Sequence, residues 1–130
     1  MGGFRARRNA EPDRPGVAGG LLRGDVVVVD FDPARSGEAA KLRPAVVVSN
    51  NVLNTAAPVV VVVPLTANLS RVYPSELVLP AARTGTRSDS KAQTHLIRHV
   101  SKNRVVRVIG RVPADLMKVL DERLREVLGL

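Results

Sequence analysis

The sequence predicts one mainly β domain, a small antiparallel barrel of six short strands capped by a C-terminal helix. Three observations carry that expectation. Short β-branched runs recur between breaks rich in proline, glycine and polar residues. The apolar period becomes helical only after Pro113. A length of 130 residues suffices for one hydrophobic core and not for two.

Residues 1–20 are Gly-, Pro-, Arg- and Ala-rich with no apolar period, and read as a flexible basic tail ahead of a domain spanning 21–130. The tail lacks the apolar stretch of a signal peptide. A first strand covers 26–31, with the unbroken run Val26–Val29, and Pro33 stops it. Residues 32–42 are polar, contain Gly37, and read as a loop. The second strand, 44–49, opens on Pro44, where a missing N–H matters least. Residues 50–58 read as a loop or short helical turn. The wholly apolar run 59–63 predicts a strand buried on both faces and closed by Pro64. A polar loop over 66–74 leads to a short strand at 75–79, and 80–88 forms another loop. The last two strands are placed at 91–99 and 107–112, with a turn at 101–104 between them. Leu116, Leu120, Leu124 and Val127 or Leu128 recur at helical spacing, so 114–128 is an amphipathic helix. Pro113 suits its first turn and Gly129 its C-terminal cap.

Composition excludes several classes. No apolar run reaches the ~18 residues of a membrane span, so a soluble, cytoplasmic protein is expected. Without cysteine there is no disulfide framework, thiolate nucleophile or cysteine zinc site. The net charge of +8 implies a polyanionic partner, nucleic acid or an acidic protein. Sixteen of the 20 basic residues are arginines, suited to forked phosphate contacts. The tail accounts for only +2, its four arginines facing Glu11 and Asp13, so the basic character belongs to the folded part. Phe4, Phe31 and Tyr73 are the sole aromatics, too few for a base-stacking platform.

Few residues suit metal chemistry. Asp25 and Asp30 fall on opposite faces of one strand by parity; only Asp30 and Asp32 share a face, and they read as solvated strand-end carboxylates. No cofactor is expected. His95 and His99 would share a face of one extended strand and offer an acid–base pair, or simply surface and core filler. Metal-free RNA cleavage needs the 2′-OH deprotonated, the phosphorane charge stabilised and the leaving 5′-oxygen protonated. Arg43 is a candidate for the second task, because the following proline holds its backbone extended. Glu38, earlier on the same loop, is a candidate base or orienting carboxylate. On residue types alone, a surface ion pair of Arg43 with Glu38 or Asp32 is the simpler reading.

The blocks Arg23–Pro33, Glu38, and Arg43-Pro44-Ala45-Val46-Val47-Val48-Ser49-Asn50 resemble the opening of the MazF/PemK toxin family. Val63-Pro64-Leu65-Thr66-Ala67-Asn68, Tyr73–Leu79, Asp89–Gln93, Ile97-Arg98 and Ile109–Val112 continue the resemblance in order. It covers 21–130. It implies an SH3-like barrel of the CcdB/PemK type, a homodimer, and sequence-specific, metal-independent cleavage of single-stranded RNA to 2′,3′-cyclic phosphate and 5′-hydroxyl ends. The implied protein partner is a cognate antitoxin with an acidic, flexible tail. The implied catalytic residues are Arg43, Thr66 and Glu38. Implied RNA contacts are Asp32, Pro33, Ser36, Gly37 and Lys41 of the first loop, Ser49, and Asn68, Arg71 and Tyr73 beyond Thr66. The family pattern Gly-Ser-Glu-Gln is here Ser36-Gly37-Glu38-Ala39, and an amide before the Ile-Arg pair is Leu96. The cleavage sequence is therefore this chain's own. Two alternatives stand beside the nuclease: a non-catalytic SH3-like module that holds RNA or protein, and a gyrase-poisoning toxin of a related branch. Neither requires Arg43 together with Thr66.

Overall fold

The computed structural model describes residues 20–31 and 42–130. The tail and the loop that carries Asp32, Pro33, Ser36, Gly37, Glu38 and Lys41 lie outside the described residues. Among the described residues seven strands and three α-helices follow in the order β1 (Asp25–Asp30), β2 (Leu42–Val47), α1 (Asn51–Ala56), β3 (Val59–Thr66), β4 (Leu77–Leu79), α2 (Ala81–Thr84), β5 (Ser90–Ala92), β6 (Arg98–Ser101), β7 (Val105–Arg111) and α3 (Ala114–Leu128).

All pairings are antiparallel, along the path β4-β5-β3-β2-β1-β7, with β6 also on β3. Among the described residues β4 and β7 do not pair, so the sheet is open along this path rather than a fully closed barrel. The mainly β class with a C-terminal helix is as the sequence predicts.

Strand parity explains why the valine runs show no polar alternation. Along β1 and β2, Val26 and Val46 enter one cluster with Val63, Leu65, Leu79, Met117, Leu120 and Leu124. Their neighbours Val27, Val29, Ala45 and Val47 enter a second cluster with Val60, Val62, Val100 and Val105. Successive side chains point to opposite faces, and both faces are buried. Helix α3 covers the first cluster through Met117, Leu120 and Leu124, whereas Leu128 stays exposed. Leu120 is fully buried, and Leu120→Ala would cost about 2–5 kcal/mol. Gly129 ends α3 in the left-handed region at φ 74°, and Pro113 occupies the N-cap, one place earlier than a first-turn proline.

Several boundaries differ from the sequence expectation, helix α2 lying in the expected loop 80–88 among them, and three differences trace to contacts distant in sequence. Pro64 does not close β3, which runs on to Thr66. Pro64 stands opposite Ala45 of β2, and its carbonyl faces the other way, accepting the Gln93 N–H at 2.9 Å. On that side β3 exchanges one neighbour for another, with β6 pairing up to Val62 and β5 from Leu65. The missing N–H therefore falls at a junction and costs no ladder bond to β2. The single strand expected at 91–99 is broken into β5 and β6 by a 3-10 turn, Thr94–Leu96. Thr94 is buried there, donating its hydroxyl to the Ser75 carbonyl at 2.7 Å. Finally, the strand expected from 107 begins at Val105.

Candidate active site

The site starts from strand register. Ala45 faces Pro64 and Val46 faces Val63. Carrying that antiparallel register two residues outward sets Arg43, on β2, opposite Thr66, on β3. Two residues far apart in sequence thus arrive at the same end of neighbouring strands. They line one cleft of about 300 Å³, together with Pro44, Leu65, Ala67 and the segment Thr86, Arg87, Ser88 and Ser90.

Their chemistry is complementary. Arg43 is exposed and makes no ion pair with any described residue, so its forked donors face solvent. Thr66 is half-buried, and its Oγ1 accepts the Asn68 N–H at 3.2 Å. That contact uses a lone pair of the hydroxyl and leaves the O–H to donate. A permanent cation and a hydroxyl donor share this cleft, the two donor types that a phosphoryl oxygen accepts from. On the far side of Thr66, β5 supplies Lys91 as register partner.

The family model of PemK-like, MazF-like toxins of type II toxin–antitoxin systems matches residues 22–128. The chain belongs to this family. It is 46% identical over 115 residues to the endoribonuclease MazF9 of Mycobacterium tuberculosis, covering 85% of this chain and 98% of that protein. It is 30% identical over 111 residues to the endoribonuclease EndoA of Bacillus subtilis, covering 85% and 96%. Among solved structures, a mycobacterial endoribonuclease in complex with its cognate antitoxin superimposes with a TM-score of 0.70 at 26% identity, covering 85% of this chain and 97% of that one.

In this MazF/PemK family member the other expected site residues divide into three groups. Asn68, Arg71 and Tyr73 are exposed on the loop that leaves Thr66, beside the cleft rather than in its lining. Asn68 is folded into that loop, its Oδ1 accepting from the Ser70 N–H at 3.1 Å and the Ser70 hydroxyl at 2.8 Å. Arg71 donates to the Tyr73 hydroxyl at 3.3 Å.

Ser49 is not brought to the cleft. It is buried at the entry to α1, its Oγ donating to Asn54 Oδ1 and accepting the Val61 N–H at 3.0 Å. Its hydroxyl serves the β2–α1 connection instead of reaching solvent. Asp25 is likewise structural, buried and paired with Arg111 at 3.0 Å.

The two histidines are not on one strand face. His95 sits on the 3-10 turn with Nδ1 4.0 Å from Glu76, and His99 lies on β6 opposite Val61. Neither lines the cleft. The expected third group, Glu38 and its loop neighbours, falls outside the described residues.

Sequence reasoning missed two sets of residues. One is the wall Thr86, Arg87, Ser88 and Ser90, read only as loop; an arginine among small hydroxyl residues was the available signal. The other is the pair Glu76 and Lys91, both buried and 3.0 Å apart. Burial pushes the Glu76 carboxyl up, but the Tyr73 N–H, the Lys91 ammonium and the nearby His95 outweigh it and hold the group below its ordinary value.

Proposed function

We propose that this chain is the toxin enzyme of a toxin–antitoxin pair, an endoribonuclease that cuts single-stranded RNA without a metal ion. The observation that carries this is the meeting of Arg43 and Thr66 in one cleft, reached from two different strands. Family membership and two endoribonuclease relatives support the reaction class.

In this reading the 2′-hydroxyl of the substrate attacks the adjacent phosphorus, and the bond to the 5′-oxygen of the next nucleotide breaks. The products are a 2′,3′-cyclic phosphate and a 5′-hydroxyl. Arg43 stabilises the charge that builds on the phosphorane oxygens, and Thr66 donates its O–H to one of them. Both act more strongly on the pentavalent state than on the starting diester, which is what lowers the barrier. Glu38 is proposed as the base for the 2′-hydroxyl, or as the carboxylate that orients Arg43. Arg43 is a poor proton donor because a guanidinium does not give up its proton in this pH range, so the proton lost by the 2′-hydroxyl is returned to the leaving 5′-oxygen through solvent.

The expected partners follow the charge. An acidic segment of a cognate antitoxin would cover the basic cleft, as the structural relative with its own antitoxin suggests. A homodimer and a cytoplasmic location belong to the same proposal. Among the described residues no helix is long and apolar enough to cross a membrane.

The test is incubation of the purified protein with long single-stranded RNA in excess EDTA. Wild type is expected to give discrete fragments with 5′-hydroxyl ends. Arg43→Ala and Thr66→Ala are each expected to lower the rate about 10²–10³-fold while remaining folded. RNA that is bound but left whole by the wild type would replace the nuclease with a binding module.

A further inference from the structure

Three charged residues lie between β4 and β5, and two of them already have partners. Arg83 makes a two-pronged contact with Asp115 at 2.8 and 2.9 Å. Asp89 accepts the Ala81 N–H at 2.8 Å. Arg87 makes no ion pair with any described residue, is exposed, and lines the cleft that holds Arg43 and Thr66.

The support beneath Arg87 is firm. The Thr84 hydroxyl donates to the Pro80 carbonyl at 3.0 Å, and the Thr86 and Ser90 hydroxyls both donate to the Ser88 carbonyl, at 2.8 and 3.1 Å. Gly85, at φ +87°, packs against β7, where a Cβ would meet the Ile109 carbonyl at 2.6 Å. A cation on such a base loses less conformational freedom on binding than one on a free loop.

The described lining therefore holds two guanidinium groups and no carboxylate. Arg43 and Thr66 suffice for the phosphate that reacts. A single strand carries a further charge at every nucleotide, and a second cation in the same cleft is available to the next one. We propose, on the endoribonuclease reading above, that Arg87 binds the phosphodiester flanking the scissile one. It contributes affinity and register along the strand, and takes no part in the chemical step. Such a contact is equally strong before and during reaction, so its loss raises KM and leaves kcat in place.

The experiment pairs two RNAs with four proteins. A fully 2′-O-methylated strand, which cannot be cut, reports binding by fluorescence anisotropy at several salt concentrations; the unmodified strand reports KM and kcat. The proteins are wild type, Arg87→Ala, Arg87→Lys and Arg125→Ala, the last removing an equal charge from the final turn of α3. Arg87→Ala is expected to weaken binding ~10-fold and to reduce the slope of log affinity against log salt by about 0.7, one single-strand phosphate contact. KM should rise ~10-fold with kcat within ~2-fold of wild type. Arg87→Lys should keep the salt slope, and Arg125→Ala should match wild type throughout. Equal behaviour of Arg87→Ala and Arg125→Ala would reduce Arg87 to a contribution to the general field and overturn the assignment. So would a fall in kcat at unchanged KM, which would put Arg87 on the reacting phosphate. If no protein cut RNA while Arg87→Ala still bound the methylated strand more weakly and with the smaller slope, the nuclease reading would fail and the phosphate contact would stand.

Discussion

Two loops flank the cleft, and they are held by different forces. Residues 67–76, which carry Asn68, Arg71 and Tyr73, are tied down by charge. Glu76 is buried, accepts the Tyr73 N–H at 2.9 Å and pairs with Lys91 at 3.0 Å. The Lys91 ammonium also donates to the Arg71 carbonyl and lies 5.7 Å from the centre of the Tyr73 ring. Residues 80–90, which carry Arg87, are tied down by close packing instead. A Cβ on Gly110 of β7 would stand 1.9 Å from the Thr84 carbonyl oxygen, so the loop backbone rests directly on the strand. Charge fixes the first loop, while the second rests on backbone packed against backbone. The buried carboxylate of the first titrates, and the contact at Gly110 does not.

The two forces meet on β5. Lys91 is the register partner of Thr66, and Ser90 beside it lines the cleft. The clamp on the first loop therefore grips the strand that supports the hydroxyl of the site.

The largest break comes from packing. Gly110→Ala drives a methyl group into a carbonyl that belongs to backbone, and nothing flexible can yield. A loss of about 3 kcal/mol in denaturant unfolding is expected, with cleavage falling in parallel. Near-normal stability would show that the 80–90 loop can lift off β7, and the packing half of the contrast would be lost.

Breaking the charged clamp comes next. Lys91→Met leaves the Glu76 carboxylate buried beside an apolar chain, at a cost of about 2 kcal/mol. This is less than a fully desolvated pair would lose, because the Tyr73 N–H still serves the carboxylate. Adding Glu76→Gln to Lys91→Met should recover part of the loss, since no unpaired charge then remains. A double variant no better than the single one would assign the effect to lost packing of the lysine stem.

Acid separates the loops without any change in the strands. The Glu76 carboxyl titrates below its ordinary value of 4.5 in the folded chain. Its contribution to stability is therefore complete above that ordinary value and is lost as pH falls through the lower folded value. Denaturant midpoints followed from neutral pH into acid should drop more steeply for wild type than for Glu76→Gln, with Gly110 packing unaffected in both. Parallel curves would mean that the clamp carries no proton linkage.

The smallest effect is expected at Arg83. Its ion pair with Asp115 joins the 80–90 loop to α3, but both side chains are largely exposed, at 45% and 63%. Arg83→Ala should leave the unfolding midpoint within measurement scatter, because solvent screens the pair. A clear destabilisation would show that charge also holds the second loop.

The sequence and the tertiary structure divided the rest between them. Elements whose cause is local were legible: the valine runs as strands, α3 from its leucine spacing, and Gly129 as its cap. The pairing of Arg43 with Thr66 entered only through family resemblance. No local pattern says that Ala45 faces Pro64, which is the register that brings the two together. Pro64 misled for the same reason. A proline breaks a strand only if its N–H was needed there, and that depends on which neighbour lies on that side. Arg87 and the Glu76–Lys91 pair were hidden because a loop's charges look alike until packing shows which have partners.

What the chain determined by itself was the set of pieces, since hydrophobic period, proline and glycine act within a few residues. Which ends of those pieces share a cleft was decided only by strand register and by backbone laid on backbone at Gly110. Those contacts join residues distant in sequence, and their energies appear only once the chain has closed around them.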